Sequence, residues 1–311
     1  AAAERLRVLG FQVVIYDRHD RAGGLMIYGI PNFKLEKDVV LRRWQQYAEG
    51  GIEFRLNCAV GRDISLAELR GKHAAVLIAT GVYKARDIAA PGADLPGVVP
   101  ALDFLIASNR KGLGDAVPEF DSGALNAEGR HVVVIGGGDT AMDCVRTATR
   151  QGAASVTCLY RRDKANMPGS RREVQNAREE GVEFLYNRQP LEIVEYFGQA
   201  CGVKMVKTRM GEPDVDGRRR PKPIPGSEVV LEADAVIIAF GFQPDPPAWL
   251  AKHDIALEAN GRIKVTPAPT CKTRKRASAA LPYQTSNPKV FAGGDGVRGA
   301  DLVVTATYEG R

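Results

Sequence analysis

The sequence has few residues of the kinds that hold metal ions or form redox disulfides. Its 311 residues include five cysteines and four histidines. No two cysteines form a Cys-x-x-Cys or similarly close pair, so we expect no zinc, no iron–sulfur cluster and no redox disulfide in this chain. The histidines show no spacing typical of metal binding or of nucleophile activation, so we predict no metal ligand and no catalytic side chain. The cysteines are odd in number and scattered along the sequence, which favours a reducing compartment, the cytoplasm. They are Cys58, Cys144, Cys158, Cys201 and Cys271.

The sequence also lacks long apolar runs and nucleic-acid-binding modules. No apolar run is long enough to span a bilayer, so we expect no membrane partner. The net charge of +6 comes partly from basic runs at 218–220 and 272–276. Nucleic-acid binding would require a basic face interleaved with aromatics or a known module, and neither is present, so we expect no nucleic-acid partner. The two runs fit a solvated surface or, as a second reading, a docking patch for an acidic partner.

What the sequence does contain is a buried-strand pattern that ends in a glycine cluster. Residues 131–135 include four successive β-branched residues, glycines occupy 136–138, and a helix-compatible segment covers 140–149. Strand, tight glycine turn and helix N-terminus together build a pyrophosphate site. We predict that Gly136 supplies the turn, Gly138 lets the backbone approach the phosphates, and Ala141 lets helix pack on strand. A glycine turn with no ligand is the alternative, and the flanking strand and helix favour the nucleotide.

The next predicted strand, residues 155–160, indicates which nucleotide binds. It ends in Arg161 and Arg162, and no acidic residue follows until Asp163. An NAD-binding unit usually carries a carboxylate here for the ribose 2′-hydroxyl. Guanidinium groups instead suit a 2′-phosphate, through paired charge-assisted hydrogen bonds. The pattern favours NADPH over the alternative of a solvated arginine pair.

A second nucleotide is indicated at the two ends of the sequence. Residues 1–9 are typical of a helix, and residues 12–17 of a strand that ends at Asp17, which suits a ribose hydroxyl. These are the back half of a βαβ unit whose first strand and glycine loop would directly precede residue 1. Gly23 and Gly24 form a turn where backbone could line a ligand. Near the other end, a short strand at 287–295 leads to an aspartate before a helix at 300–309, an order that suits a flavin ribityl-phosphate chain.

Two apolar strands that close on a glycine, 74–81 and 233–241, repeat the same motif order at long range. The repeat predicts an α/β fold of two Rossmann-like dinucleotide-binding domains, one inserted in the other. We place the FAD-binding domain at 1–97 plus 285–311 and the NADPH-binding domain at 98–284.

Six motifs carry a resemblance to a known family; they lie at 28–34, 79–86, 136–144, 160–163, 166–170 and 292–295. With them the chain resembles the flavoproteins with two dinucleotide-binding domains, the pyridine nucleotide-disulfide oxidoreductase superfamily. Within that superfamily it is similar to the small (β) subunit family of NADPH-dependent glutamate synthase. The resemblance implies hydride transfer from NADPH to FAD. Electrons then pass through iron–sulfur clusters to a glutamate synthase large subunit, which makes glutamate from glutamine and 2-oxoglutarate.

The resemblance also implies site residues. The clusters would lie in a cysteine-rich N-terminal region that this sequence does not contain, so the chain is expected to be truncated at both ends. Met26 and Tyr28 would pack near the flavin ring or, equally, in an ordinary core. Contacts with NADPH are implied for Gly136, Gly138, Asp139, Thr140, Ala141, Arg161, Arg162 and Gly241. Contacts with FAD are implied for Asp17, Gly23, Gly24, Leu25, Thr80, Gly81, Gly294, Asp295, Ala300, Asp301 and Leu302.

Two alternatives stay open at this point. The chain could be a nucleotide-binding or assembly module without FAD. The FAD glycine loop, which supplies the main pyrophosphate contacts, is expected to precede residue 1. It could instead be an NADPH-dependent flavin subunit that feeds another iron–sulfur partner.

Overall fold

The structure is a computed structural model of the chain, and it describes residues 1–213, 219–267 and 281–311. The basic run at 272–276 and Cys271 lie outside the described residues. The α-helices are α1 Ala2–Val8, α2 Leu25–Tyr28, α3 Lys37–Glu49, α4 Leu66–Lys72, α5 Ala101–Gly112, α6 Pro118–Asp121, α7 Asp139–Arg150, α8 Arg171–Glu179, α9 Asp295–Arg298 and α10 Val303–Glu309.

Fifteen strands lie within the described ranges. They are β1 Val13–Tyr16, β2 Ile52–Arg55, β3 Val76–Ile78, β4 Lys84–Ala85, β5 Val98–Pro100, β6 His131–Ile135, β7 Ser155–Tyr160, β8 Glu183–Tyr186, β9 Arg188–Tyr196, β10 Gln199–Pro213, β11 Arg219–Pro223, β12 Val229–Glu232, β13 Ala235–Ile238, β14 Phe242–Gln243 and β15 Val290–Ala292. Short 3₁₀ helices cover Lys164–Asn166 and Ala248–His253.

The chain divides into two compact units. Unit 1 comprises residues 1–24, 38–84 and 242–311, and unit 2 comprises residues 25–37 and 85–241. The parallel α/β sheets described below confirm the predicted fold class, two Rossmann-like elements with one set within the other in sequence.

Unit 2 is built on a five-stranded parallel sheet in the order β5-β13-β6-β7-β8. Both faces of this sheet are covered, as parallel sheets require. Because successive side chains of a strand point to opposite faces, Val132 and Val134 pack with α5 and α7, whereas Val133 and Ile135 face the other way. That second face is covered by an antiparallel sheet of β9 to β12, through residues such as Val203.

Unit 1 contains two pairs of parallel strands, β1 with β2 and β3 with β15. Its core joins segments far apart in sequence: Leu66, Ile78, Leu250, Ile255, Ile263, Val290 and Ala292 form one buried cluster. Within the described part of the chain, no helix combines the length and the apolar character that crossing a bilayer requires.

The boundaries of the two units differ from the predicted domain boundaries. Residues 242–284 were placed in the NADPH domain, yet Leu250 and Ile263 lie in the unit 1 core. Residues 85–97 fall in unit 2, where Ile88 packs with the sheet. Residues 25–37 also fall in unit 2, anchored by the hydrogen bond from Asn109 Nδ2 to Tyr28 O, 2.9 Å. Contacts between residues far apart in sequence set these boundaries, and strand and turn patterns do not report such contacts.

Candidate nucleotide-binding site

The glycine turn after β6 is shaped by its neighbours in unit 2. A Cβ on Gly136 would collide with the carbonyl oxygen of Ala239, which follows β13. A Cβ on Gly137 would lie 2.5 Å from two ring carbons of Tyr160 at the end of β7. At Gly138 a Cβ would meet nothing within 4 Å. The first two glycines therefore allow close packing, and the third leaves open space at the start of α7.

Helix α7 begins directly at that open space. Gly138 is its N-cap and provides no side-chain cap, so the first N–H groups of the helix lack the usual side-chain acceptor. Ala141 is fully buried in the cluster that includes Val132 and Val134, as the third small position requires. A helix start of this kind, with open space before it and a partial positive charge, fits a diphosphate.

A loop that contains the motif 166–170, to which the sequence assigned no role, covers one side of this turn. Gly169 N–H donates to Gly137 O at 2.8 Å, and Ser170 N–H donates to Asp139 Oδ1 at 2.8 Å. The hydroxyl of Tyr160 holds the loop further back by donating to Asn166 O at 2.7 Å. The Asp139 carboxylate, predicted as a cofactor contact, thus anchors the loop. Thr140 follows it and is half-buried.

Arg161 and Arg162 directly follow β7. Their main chain is fixed, because Thr208 Oγ1 donates to Arg161 O at 2.8 Å and Asn187 N–H donates to Arg162 O at 2.9 Å. Neither guanidinium has a hydrogen bond or ion pair with the residues that the structure describes. Their positive charges oppose the effect of burial, which raises the pKa of the neighbouring Tyr160. Two unpaired guanidiniums on an anchored backbone fit a phosphate group.

Gly241 lies at the same edge of the sheet as the glycine turn. The register of β13 on β6 places Ile238 beside Ile135, and Ala239 N–H donates to Ile135 O at 2.9 Å. Gly241 O accepts from Arg86 N–H at 3.0 Å. The predicted NADPH residues therefore all follow the carboxyl ends of strands β6, β7 and β13, where ligands of open α/β sheets bind.

The predicted FAD residues of unit 1 also follow strand ends. Asp17 directly follows β1, and its Oδ1 accepts from His19 N–H at 2.9 Å. Thr80 and Gly81 follow β3, and Asp295 follows β15; Gly293 N–H donates to Ile78 O at 3.1 Å, which joins these two ends. Gly23 and Gly24 belong to the same unit, whereas Leu25, the first residue of α2, belongs to unit 2.

The segment around Asp295 has its own contacts. Burial raises the pKa of the Asp295 carboxyl, against the opposing effects of the Asp301 backbone N–H and the Arg298 charge. Gly294 N–H donates to Glu309 Oε2 at 2.8 Å, and Glu309 also pairs with Arg298. The Gly294 N–H is thus already bound by protein. The exposed residues Ala300, Asp301 and Leu302 lie just before α10.

Tyr83, within the motif 79–86, is a residue of this region to which the sequence assigned no site role. A Cβ on Gly24 would lie 3.5 Å from its hydroxyl, and one on Gly81 would lie 3.4 Å from its ring. The guanidinium of Arg18 lies 4.6 Å from the ring centre. Burial raises the pKa of Tyr83, as do the Asp17 and Asp295 charges, against the opposing effect of Arg18. Tyr83 therefore lies beside the ends of β1 and β3, a position that only proximity in space reveals.

The four described cysteines are free, and two are deeply buried. Burial raises the pKa of the Cys158 thiol to about 12 and that of Cys144 well above its ordinary value. A raised pKa disfavours the thiolate, which is the nucleophilic form of cysteine. Among the described residues, no group of three or more His, Cys, Asp or Glu is placed to hold a metal ion.

Comparison with known proteins decides the family. The profile of the pyridine nucleotide-disulphide oxidoreductases matches residues 1–310. The chain belongs to this family. The expected resemblance to this family is confirmed.

Relatives within the family carry two kinds of name. The chain is 52% identical to the glutamate synthase [NADPH] small chain of Escherichia coli, over 100% of this chain and 64% of that protein. It is 55% identical to the putative glutamate synthase [NADPH] small chain of Cereibacter sphaeroides, over 100% and 71%. It is also 51% identical to the putative oxidoreductase AegA of Escherichia coli, over 100% and 46%. The chain thus spans between about half and 71% of the length of these relatives.

A solved structure shares the fold. FprA of Mycobacterium tuberculosis in complex with NADPH superimposes with a TM-score of 0.76, over 99% of this chain and 79% of that one, at 17% identity. At that identity the likeness concerns the fold alone.

Proposed function

We propose that the chain binds NADPH at the carboxyl edge of the unit 2 sheet and FAD at the strand ends of unit 1. Bound NADPH and FAD would supply hydride transfer between nicotinamide and flavin, chemistry that needs no protein nucleophile. The observation that carries the proposal is the uncapped start of α7 beside Gly138, one strand away from the guanidiniums of Arg161 and Arg162, which have no partner among the described residues. The chain's own residues bind and orient the nucleotides.

The preference for NADPH over NADH rests on Arg161 and Arg162. A 2′-phosphate would be the anionic partner that neither of these side chains has among the described residues. A carboxylate at this position would repel that phosphate, and the nearest one, Asp163, instead caps the 3₁₀ helix Lys164–Asn166 by accepting from Asn166 N–H at 2.9 Å.

For FAD, we propose that Asp17 accepts from a ribose hydroxyl and that Asp295 contacts the ribityl chain. Asp17 Oδ2 has no hydrogen bond with any described residue, so it is open to a ligand hydroxyl. The backbone at Gly24, Gly81 and Leu302 would line the remainder. Tyr83 would hold the turn at Gly24 and the end of β3 in place, since a Cβ added at Gly24 or Gly81 would lie within 3.5 Å of it.

In the whole protein, we propose that electrons leave FAD through iron–sulfur clusters outside this sequence and reach a glutamate synthase large subunit. The names of the Escherichia coli and Cereibacter sphaeroides relatives support this partner. We place the protein in the cytoplasm, because scattered free cysteines suit a reducing compartment.

A flavin subunit that serves another electron acceptor is the second candidate. The chain is 51% identical to AegA, named only as a putative oxidoreductase, and 52% identical to the glutamate synthase small chain of the same organism. A difference of one per cent does not favour either partner.

The nucleotide proposal is tested with a double variant, Arg161→Ala with Arg162→Ala. Each lost charge-assisted contact costs about 1.5–3 kcal/mol, so the dissociation constant for NADPH should rise at least tenfold while that for NADH stays within about twofold. Arg209→Ala, an exposed arginine on β10, is the control for loss of positive charge. Equal weakening of both nucleotides would contradict the proposal.

Flavin and partner are tested separately. Purified protein given FAD should take up flavin and show its blue-region absorbance, and NADPH should then bleach that absorbance; colourless protein that rejects FAD contradicts the redox proposal for this chain. Affinity purification of the protein from its own cells, followed by mass spectrometry, should recover a glutamate synthase large subunit. Recovery of a different iron–sulfur protein would instead support the second candidate.

A further inference from the structure

A cavity lies in unit 2, away from the glycine turn. It has a volume of about 180 Å³ and lies between α5, the last turn of α7 and the segment 31–33. A helix rises about 1.5 Å per residue, so Thr147 lies about 14 Å along α7 from Gly138. The lining residues are Pro31, Asn32, Phe33, Leu105, Ser108, Asn109, Thr147, Arg150 and Gln151.

Thr147 places an unpartnered hydroxyl at this cavity. The residue is only 4% exposed, and its Oγ1 has no hydrogen-bond partner in the described parts of the chain. A threonine within a helix commonly bonds the carbonyl four residues earlier. Thr149 does so, since its Oγ1 donates to Val145 O at 2.9 Å. The Thr147 hydroxyl has no such bond, and an unsatisfied buried polar group is costly.

Gln151 places an unpartnered donor at the same cavity. Its Oε1 accepts from Ala127 N–H at 2.9 Å. That bond fixes which end of the amide is oxygen, so the other end is the NH₂ group. Nε2 is buried and has no hydrogen-bond partner within the described ranges. Two residues of the lining thus each carry one polar atom that has no partner among the described residues.

The charged side chain among the described lining residues is a cation. Arg150 is the charged residue of the lining, which contains no aspartate or glutamate among the described residues. Arg150 Nη2 donates to Glu180 at 2.7 Å, and its guanidinium lies 4.3 Å from the ring centre of Phe33.

The carbonyl end of α7 does not reverse this polarity. The carbonyls of Thr147, Ala148 and Thr149 accept from the N–H groups of Gln151, Ala153 and Gly152. Carbonyls that are already bonded contribute less negative potential than free ones at a helix end.

We propose that this cavity binds a small carboxylate. Its volume far exceeds the roughly 10–15 Å³ that one water needs. One carboxylate oxygen accepts from Gln151 Nε2 and the other from Thr147 Oγ1, with the apolar part of the molecule against Pro31 and Leu105. Both unsatisfied groups are thereby paired, and Arg150 adds favourable charge.

The test uses acetate as the probe on the purified chain. Acetate is titrated by ligand-observed NMR, with chloride exchanged to keep ionic strength constant. Saturable binding at roughly millimolar concentration is expected, which suits so small a ligand. Thr147→Val should weaken binding about tenfold, the loss of one charge-assisted bond. Gln151→Glu keeps the acceptor for Ala127 N–H but replaces the donor with a negative oxygen, so it should abolish binding.

Thr149→Val is the matched control, because its hydroxyl is already bonded within the helix; acetate affinity should not change. Without acetate, the midpoint of thermal unfolding of Thr147→Val should equal or exceed that of wild type, which shows that the variant folds. The proposal is overturned if acetate does not bind saturably, if neutral acetamide binds equally well, or if Gln151→Glu still binds acetate. None of these measurements depends on NADPH or FAD.

Discussion

The aromatic ring of Tyr160 lies against Gly137, so that a Cβ at Gly137 would come within 2.5 Å of the ring carbons Cδ2 and Cε2. This contact joins the glycine turn after β6 to the end of β7. Since Arg161 and Arg162 directly follow Tyr160, the same contact fixes the position of the glycine turn relative to the proposed 2′-phosphate site.

That contact predicts opposite behaviour for two neighbouring glycines. Gly137→Ala should lower the free energy of unfolding by about 1–3 kcal/mol, because the added methyl overpacks against Tyr160. Gly138→Ala should change it by less than about 0.5 kcal/mol, since its backbone is extended and its Cβ meets nothing. Its methyl group would nevertheless occupy the proposed phosphate space and weaken NADPH binding at least tenfold. Denaturant unfolding and NADPH titration of both variants check this; a stable Gly137→Ala variant would contradict it.

A second prediction concerns Lys34 and Asp143, whose Nζ and Oδ1 lie 2.7 Å apart. Burial raises the pKa of Asp143, against the opposing effect of Lys34. Lys34→Met should cost about 1–3 kcal/mol of unfolding free energy, because it leaves a largely buried carboxylate without its cation. Asp143→Asn should partly restore that loss, with a coupling free energy of about 1–2 kcal/mol in a double-mutant cycle.

Lys204→Met, which removes an exposed pair with Glu192 at 3.6 Å, is the control and should cost less than about 1 kcal/mol. Strictly additive effects of the Lys34 and Asp143 variants would show that the two side chains do not stabilise each other.

The third prediction is a pH dependence due to Lys37. Its Nζ donates to Met26 O at 3.0 Å and to Ile30 O, and burial lowers its pKa to about 8. The folded state releases this proton more readily than the unfolded chain does. The free-energy cost of burying the charged Lys37 amine is therefore complete below about pH 8. This cost decreases as pH rises towards the ordinary lysine pKa of 10.5. Folding should therefore become more favourable over that range through Lys37.

The measurement is denaturant unfolding of wild type and Lys37→Met at several pH values between about 7 and 10. The difference in unfolding free energy between the two should shift in favour of wild type above about pH 8. A difference that does not vary with pH would mean that the two carbonyl bonds keep Lys37 charged throughout.

The fourth prediction compares two glycines of unit 1 with similar backbone. Gly61 has φ +96 and Gly10 has φ +92. A Cβ on Gly61 would lie 2.7 Å from Trp249 Nε1, which donates to Val60 O at 3.1 Å, whereas a Cβ on Gly10 meets nothing. Both alanine variants bear the cost of a left-handed backbone, about 1–2 kcal/mol.

Gly61→Ala should cost a further 1–3 kcal/mol, roughly, because Trp249 must move. Thermal unfolding of the two variants, with tryptophan fluorescence as the readout, distinguishes them. Equal losses of stability would show that the indole shifts without cost.

The sequence by itself determined the elements of the proposed NADPH site. The predicted strand 155–160 is β7, Ser155–Tyr160, and the predicted helix 140–149 is α7, Asp139–Arg150, within one residue at each end. These elements are readable because β-branched runs, glycine turns and small-residue positions act over a few neighbouring residues. The roles assigned to individual site residues stay predictions.

Only the tertiary structure decided which segments belong together. Residues 25–37 join unit 2 through bonds such as Lys34–Asp143, across 109 positions of sequence, and Trp249 bonds Val60 across 189. The loop over the glycine turn, the position of Tyr83 and the cavity at Thr147 depend on the same kind of contact. Such contacts form between surfaces that fold together, so no local pattern of residues records them.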